Sequence, residues 1–254
     1  MIIIDSPHLW DGVNDPFLYV AIAELVSCGQ VTDRIDSAFG CRTIAFDSNK
    51  GFLLNGRQYR LCGAARHQDR EGVGPALTHA DHEEDMELLR ELGANTVRLG
   101  HYQHDSYFYD LCDRYGLIVW AEIPYITAHL PDGNENTRSQ LTELILQNYN
   151  HPSIICWGLS NEITVAAGTT EAIKENHREL NALAHKLDKT RPTVMAHAFM
   201  LDPDDPFVML SDIRSYNLYY GWYLGDVKDN DVWLDSFHAR HPDAVIGLSE
   251  YGAD

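Results

Sequence analysis

From about residue 47 onward the chain keeps returning to one unit, a short apolar run followed by a stretch with helical spacing. Candidate strands fall at residues 61–65, 96–99, 117–123, 154–159, 193–196, 213–217 and 245–248. Strands alternating with helical patterns specify a parallel sheet, because a parallel connection needs a crossover of a dozen or more residues. Two architectures take many such units, an open doubly wound sheet or a closed barrel. The open sheet usually carries a glycine-rich first turn. The nearest candidate, Gly72-Val73-Gly74-Pro75-Ala76-Leu77, lacks the third glycine and does not directly follow a strand. The expected fold is therefore α/β, a (β/α)8 TIM barrel over residues 47–254. It is expected to be truncated after the seventh strand, with the eighth β/α unit missing.

Helix signals fall between the strands. Thr78 with Asp81 three residues on predicts an N-terminal cap; Met86, Leu89 and Leu92 then share a face, and Gly93 ends the helix. Leu141, Leu144, Ile145 and Tyr149 repeat the helical period until Asn150-His151-Pro152 breaks it. A third long helix is expected over residues 170–188, with Leu180, Leu183, Ala184 and Leu187 inward. Residues 1–46 have another texture. Apolar stretches at 2–4, 17–25 and 41–46 alternate with turn residues such as Asp11-Gly12 and Asn14-Asp15-Pro16, an antiparallel pattern. An immunoglobulin-like sandwich needs about 100 residues, so this segment is expected to be the closing part of a β-domain whose beginning is absent.

Charge narrows the function. Lys and Arg number 19 against 38 Asp and Glu, a formal net charge of −19. Nucleic-acid binding depends on Lys and Arg displacing counterions, and anionic membranes attract the same residues, so neither is an expected partner. No charged leader or membrane-length apolar run is present in the sequence. Five cysteines are spread without a CxxC, three of them in apolar runs such as Ile154-Ile155-Cys156-Trp157. They read as reduced core thiols of a cytoplasmic protein.

In a barrel, reacting groups gather at the C-terminal ends of the strands. There the runs turn polar: Arg66-His67-Gln68-Asp69, Arg98-Leu99-Gly100-His101, Ala121-Glu122, Ser160-Asn161-Glu162, Tyr216-Asn217-Leu218-Tyr219 and Ser249-Glu250-Tyr251. Glu162 and Glu250 stand on opposite sides of the ring. Two carboxyls flanking a reaction centre are what glycosidic cleavage needs, one protonating the leaving oxygen and the other attacking the sugar carbon or activating water. Capping of strand ends and pairing with arginine is the alternative for either glutamate alone.

Around these glutamates the chain resembles glycoside hydrolase family 2, the β-galactosidase and β-glucuronidase family. The resemblance rests on Ile-Ile-Cys-Trp-Gly-Leu-Ser before Asn161-Glu162, on Leu248-Ser249-Glu250-Tyr251-Gly252-Ala253, and on Asn217-Leu218-Tyr219-Tyr220-Gly221-Trp222-Tyr223. It extends to Phe52-Leu53-Leu54-Asn55-Gly56, Gly93-Ala94-Asn95-Thr96-Val97-Arg98, His101-Tyr102, Asn150-His151-Pro152-Ser153 and Asp188-Lys189-Thr190-Arg191-Pro192, in family order over nearly the whole chain. It implies that residues 1–46 are the C-terminal part of an immunoglobulin-like sandwich. It also implies Glu162 as general acid/base, Glu250 as nucleophile and Asn161 as the partner of the sugar 2-hydroxyl. Tyr219 would touch the nucleophile, and Arg98 would hold that carboxylate ionised. His101 would contact the sugar, with His67, Asn217 and Tyr223 lining the same mouth.

Other chemistry is weaker. Gly158-Leu159-Ser160-Asn161-Glu162 begins like a nucleophile elbow but has Glu in place of the second glycine. His79 and His82, or His101 and His104, have metal-ligand spacing without a third ligand nearby. The Glu-Thr-His run of magnesium-dependent relatives is replaced by Ile123-Pro124-Tyr125-Ile126-Thr127 after Glu122, so no metal and no cofactor is expected. Trp157, among apolar neighbours, reads as core rather than as a sugar platform.

The resulting expectation is a retaining β-glycosidase acting on a carbohydrate, a β-galactosidase first and a β-glucuronidase or other family 2 enzyme as the alternative. A homo-oligomer is compatible with it. The competing class is a non-catalytic barrel fragment or sugar-binding remnant, and the missing sandwich and eighth strand predict low activity for this span.

Overall fold

The computed structural model describes residues 3–253. Its centre is a parallel sheet of seven strands, each hydrogen-bonded to the next in chain order. The element order opens with the hairpin β1 (Tyr19–Ser27) and β2 (Gln30–Phe39), then β3 (Ile44–Asp47), β4 (Gly51–Leu54) and β5 (Arg57–Gln58). The parallel strands follow: β6 (Gly63–Arg66), β7 (Thr96–Leu99), β8 (Ile118–Glu122), β9 (Ile154–Asn161), β10 (Thr193–Ala198), β11 (Ile213–Asn217) and β12 (Ile246–Glu250). The helices are α1 (His79–Glu91), α2 (Ser106–Tyr115), α3 (Asn134–Asn148), α4 (Glu171–Leu187) and α5 (Asp229–Arg240).

All seven expected strands form, and the sheet curls into a nearly closed TIM barrel. The Tyr251 hydroxyl beyond β12 donates to the Gly63 carbonyl of β6 at 3.4 Å, bridging the two edges. The inner strands β7 to β11 are largely buried on both faces, β9 at every one of its positions, while the edge strands β6 and β12 are only partly covered. Helix α1 begins as expected: Asp81 N–H donates to the Thr78 hydroxyl at 3.4 Å, and Thr78 N–H returns to the Asp81 carboxylate at 2.7 Å. Gly93 follows it with φ +78°, the left-handed turn that ends a helix without a Cβ penalty. Met86 and Leu89 are buried, but Leu92 is 70% exposed. One residue past the last helical position, it falls outside the apolar stripe. Tyr149, at the end of α3, is likewise exposed, while Leu141, Leu144 and Ile145 are buried. On α4, Leu180 and Ala184 are buried, and Leu183 and Leu187 pack against the same core.

The N-terminal region departs further from expectation. Of the run 2–4, Ile2 lies outside the described residues, and Ile3 and Ile4 join no strand. Strand β1 pairs with β2, whose Val31, Ile35 and Phe39 are interrupted by Asp33, Arg34 and Asp36, in an antiparallel hairpin that stands out in solvent. Strand β3 crosses position 46 and pairs instead with β4, which pairs with β5. This small sheet places Phe52 and Leu54, with Trp10, against Ile118, Ile155, Val194 and Ile213 at the starts of barrel strands. It therefore floors the barrel at the N-terminal end, and the C-terminal end is left open. The cysteines are all free, but only Cys112 and Cys156 are buried, two rather than three core thiols. No helix among the described residues is long and apolar enough to cross a membrane.

Candidate active site

At the open end, five strands direct side chains into one hydrogen-bonded network. Arg98, near the end of β7, lies at its centre and is almost wholly buried. Its Nη1 donates to Glu250 Oε1 at 2.5 Å, its Nη2 to Asn161 Oδ1 at 2.9 Å, and its Nε and Nη2 to the two oxygens of Glu122 at 3.0 Å each. The other oxygen of Glu250 accepts from the Tyr219 hydroxyl. Asn217, ending β11, donates to Glu162 Oε1 at 3.0 Å and to Asn161 Oδ1 at 3.2 Å, and accepts from the Ser249 hydroxyl at 2.7 Å. A continuous chain, Glu162–Asn217–Asn161–Arg98–Glu250, thus spaces the two glutamates around the mouth.

Backbone geometry aims Glu162. Strand β9 ends at Asn161, and Glu162 follows with φ +47°, in the left-handed region that a residue with a Cβ enters only at a cost of about 1–2 kcal/mol. Its N–H donates to the Ala196 carbonyl of β10 at 2.8 Å, and its carbonyl accepts from Val165 N–H at 3.1 Å. These bonds hold the turn that throws the carboxyl off the sheet and toward the mouth. Such strain persists where the surroundings over-determine it, commonly at functional sites.

Electrostatics follow from burial. Glu122 is completely buried, which by itself would raise its carboxyl. The Arg98 charge and the His101 hydrogen bond outweigh that and hold it below the ordinary carboxylate range. Burial works to lower Arg98, but its two carboxylate partners leave it raised, so the guanidinium stays charged. His104, behind the mouth, is pushed down to about 3 by burial and by the Arg66 charge.

Of the residues expected from sequence, Glu162, Glu250, Asn161, Asn217, Arg98, Tyr219 and His101 belong to this one network. His67 stands beside it, its ring edge-on to His101 at 5.2 Å. Tyr223 lies at the exposed rim and reaches the network through a ring contact with Tyr219 at 5.3 Å. Trp157 is in the core, its indole N–H donating to Asp188 at 3.0 Å. Ser160 does pair with a histidine: His177 Nε2 lies 2.8 Å from its hydroxyl. Both are buried, and His177 Nδ1 faces the Ile173 carbonyl at 2.8 Å rather than a carboxylate, so the pair braces the fold. The histidine pairs with metal-ligand spacing are otherwise engaged. His82 and His104 both turn Nδ1 to the Arg66 guanidinium, at 3.0 and 2.9 Å, and His79 stacks on Tyr107. Glu122 is the member that sequence reasoning passed over. The sequence shows an acidic residue closing an apolar strand, but nothing along the chain marks the Arg98 and His101 contacts that give it a role.

The family model described as "Glycosyl hydrolases family 2, TIM barrel domain" matches residues 47–254, and "Glycosyl hydrolases family 2" matches residues 1–42. A beta-glucuronidase of Bacteroides fragilis is 42% identical over 99% of this chain and 36% of its own length. A beta-galactosidase of Thermoanaerobacter pseudethanolicus is 34% identical over 84% of this chain and 28% of its own. Among solved structures, the FMN-binding beta-glucuronidase from Facaelibacterium prausnitzii L2-6 superposes with a TM-score of 0.94 at 42% identity, covering 98% of this chain and 39% of that one. The chain therefore spans between 28% and 39% of the length of these relatives.

Proposed function

This chain belongs to glycosyl hydrolase family 2, and from that premise we propose that its barrel mouth is the catalytic centre of a retaining β-glycosidase. One observation carries the reading: two glutamates at the ends of β9 and β12 are joined by a single network in which each has different partners. Glu250 accepts from a guanidinium and a phenol, the environment of an ionised nucleophile. Glu162 accepts from the neutral Asn217 carboxamide, which positions it without a fixed cation among its hydrogen-bond partners.

In the proposed reaction, Glu162 protonates the glycosidic oxygen as Glu250 attacks the anomeric carbon, giving a glycosyl-enzyme. Glu162 then takes a proton from water as that water displaces Glu250. Asn161 accepts from Arg98 and Asn217 through its oxygen, which leaves its NH2 to donate to the sugar beside the nucleophile. Residues 1–46 are read as the end of a sandwich that precedes the barrel, in keeping with the separate family match there. The free cysteines support a cytoplasmic location.

For the sugar, a β-glucuronide is the better reading. The relative named beta-glucuronidase matches 99% of the chain at 42% identity, and the one named beta-galactosidase matches 84% at 34%. The test is hydrolysis of 4-nitrophenyl β-glucuronide and β-galactoside side by side. Preference for the glucuronide supports the reading and preference for the galactoside reverses it. Turnover of neither, by well-folded protein, favours a non-catalytic barrel.

A further inference from the structure

Among the described residues Glu122 is the one carboxylate of the mouth that is fully buried, and its two oxygens meet three nitrogen atoms. Arg98 supplies two of them. The third is His101 Nδ1, 2.6 Å from Glu122 Oε1. The tautomer of His101 follows from this geometry. An ionised carboxylate only accepts and a guanidinium only donates. If Nδ1 carried a lone pair, that lone pair would face the Glu122 oxygen at 2.6 Å, two acceptors in repulsive contact inside a dry site. Nδ1 must therefore carry the proton, and the Arg98 Nη2 at 3.2 Å from it is a neighbour rather than a donor. In its uncharged form the ring then presents a bare Nε2 on its other side, 3.7 Å from Glu250 Oε1. An ionised Glu250 has no proton to donate, so the lone pair is left to a donor from elsewhere.

We propose that Glu122 is a positioning residue that locks His101 in its Nδ1–H form, so that Nε2 accepts a hydroxyl of the sugar seated on Glu250. The last clause rests on the glycosidase reading; the tautomer does not. The hydrogen bond made by one ring nitrogen sets what the other can do. Here the same carboxylate also grips Arg98, so one buried group aligns both the nucleophile's guanidinium partner and the histidine beside it. The fold makes room for this. A Cβ on Gly158 of the neighbouring strand β9 would lie 2.3 Å from the Glu122 Cβ and 2.7 Å from Trp120 Nε1, so only glycine lets Glu122 sit there. His67 closes the remaining side of the His101 ring at 5.2 Å.

The test is nitrogen NMR of this chain labelled with 15N-histidine, recorded above the titration of the imidazoles, with the His101 signals assigned by their loss in His101→Gln. The wild-type ring is expected to be protonated at Nδ1 with Nε2 bare. A neutral ring protonated at Nε2 overturns the proposal, whatever any variant does. Glu122→Gln is expected to convert His101 to a mixture of tautomers. An unchanged spectrum in folded Glu122→Gln overturns Glu122 as the cause, and if that variant does not fold, the wild-type spectrum decides. Wild-type hydrolysis of the aryl glycosides is read separately. If no glycoside is turned over while Nδ1 is protonated, the glycosidase reading fails and the positioning contact stands. If turnover is found with Nε2 protonated, the reverse holds.

Discussion

Replacing Arg98 with methionine removes the cation at the centre of the mouth while keeping most of the side-chain volume. Four hydrogen bonds go with it, two to Glu122, one to Glu250 and one to Asn161. Glu250 is 16% exposed and can recover water, but Glu122 is fully enclosed and cannot. Its escape is to take up a proton. Protonating a carboxyl of ordinary pKa 4.5 costs about 1.36 kcal/mol for each pH unit above that value, which caps the charge penalty near 3.4 kcal/mol at about pH 7 and 0.7 at about pH 5. This agrees with the roughly 3–5 kcal/mol typical of removing one partner from a buried ion pair. The wild type behaves oppositely. Its Glu122 is held below the ordinary value, so its contribution to stability is present in full above that value and is lost only as pH falls through the lowered folded one. Between these two pH values the wild-type contribution is therefore flat, and the stability gap between the proteins closes by about 1.4 kcal/mol per unit of acidification. Urea unfolding of both proteins at the two pH values measures this. An equal gap at both, or a gap under about 1 kcal/mol at neutral pH, would refute the picture of a buried carboxylate depending on Arg98.

Gly158→Ala is expected to lose about 1–3 kcal/mol by overpacking, since its Cβ would fall 2.3 Å from that of Glu122; thermal unfolding checks it. Asn217→Ala releases both Glu162 and Asn161 and is expected to lower kcat/KM for the preferred aryl glycoside by about a hundredfold with the fold intact, as judged by circular dichroism. A crystal structure with a bound sugar analogue is expected to place the Glu162 and Glu250 carboxyls about 5–5.5 Å apart; a separation of roughly 6.5–9.5 Å would make the enzyme inverting.

Strands such as β8 and β9 were legible because a strand buried on both faces is written as a near-continuous apolar run, while β7 and β11, which carry Arg98 and Arg214, were legible mainly from their place in the strand–helix alternation. The cap at Thr78 was legible because its two partners are three residues apart. Elements whose stability comes from elsewhere were not. Strand β2 carries Asp33, Arg34 and Asp36 and forms by pairing with β1, and α5 buries only Phe237. Leu92 and Tyr149 show the limit of periodicity at helix ends, where an apolar residue can continue the spacing after the helix has left the core. In the mouth, Glu162 and Glu250 could be picked out as carboxylates after apolar strands, and the resemblance supplied Arg98, Asn161, His101 and Tyr219. Glu122 was hidden because its role exists only between strands. Its partners lie 24 and 21 residues back along the chain, and the space it occupies is set by a glycine on a third strand.

The nucleophile is the claim on which the rest depends, and covalent trapping tests it most directly. The protein is incubated with 2-deoxy-2-fluoro-β-glucuronosyl fluoride, or the galactosyl counterpart if that sugar is preferred, then weighed intact and mapped by peptide mass. The expected result is one sugar per chain, on Glu250, and no label on Glu250→Gln. A folded protein that takes no label, or takes it on any residue other than Glu250, would contradict the assignment.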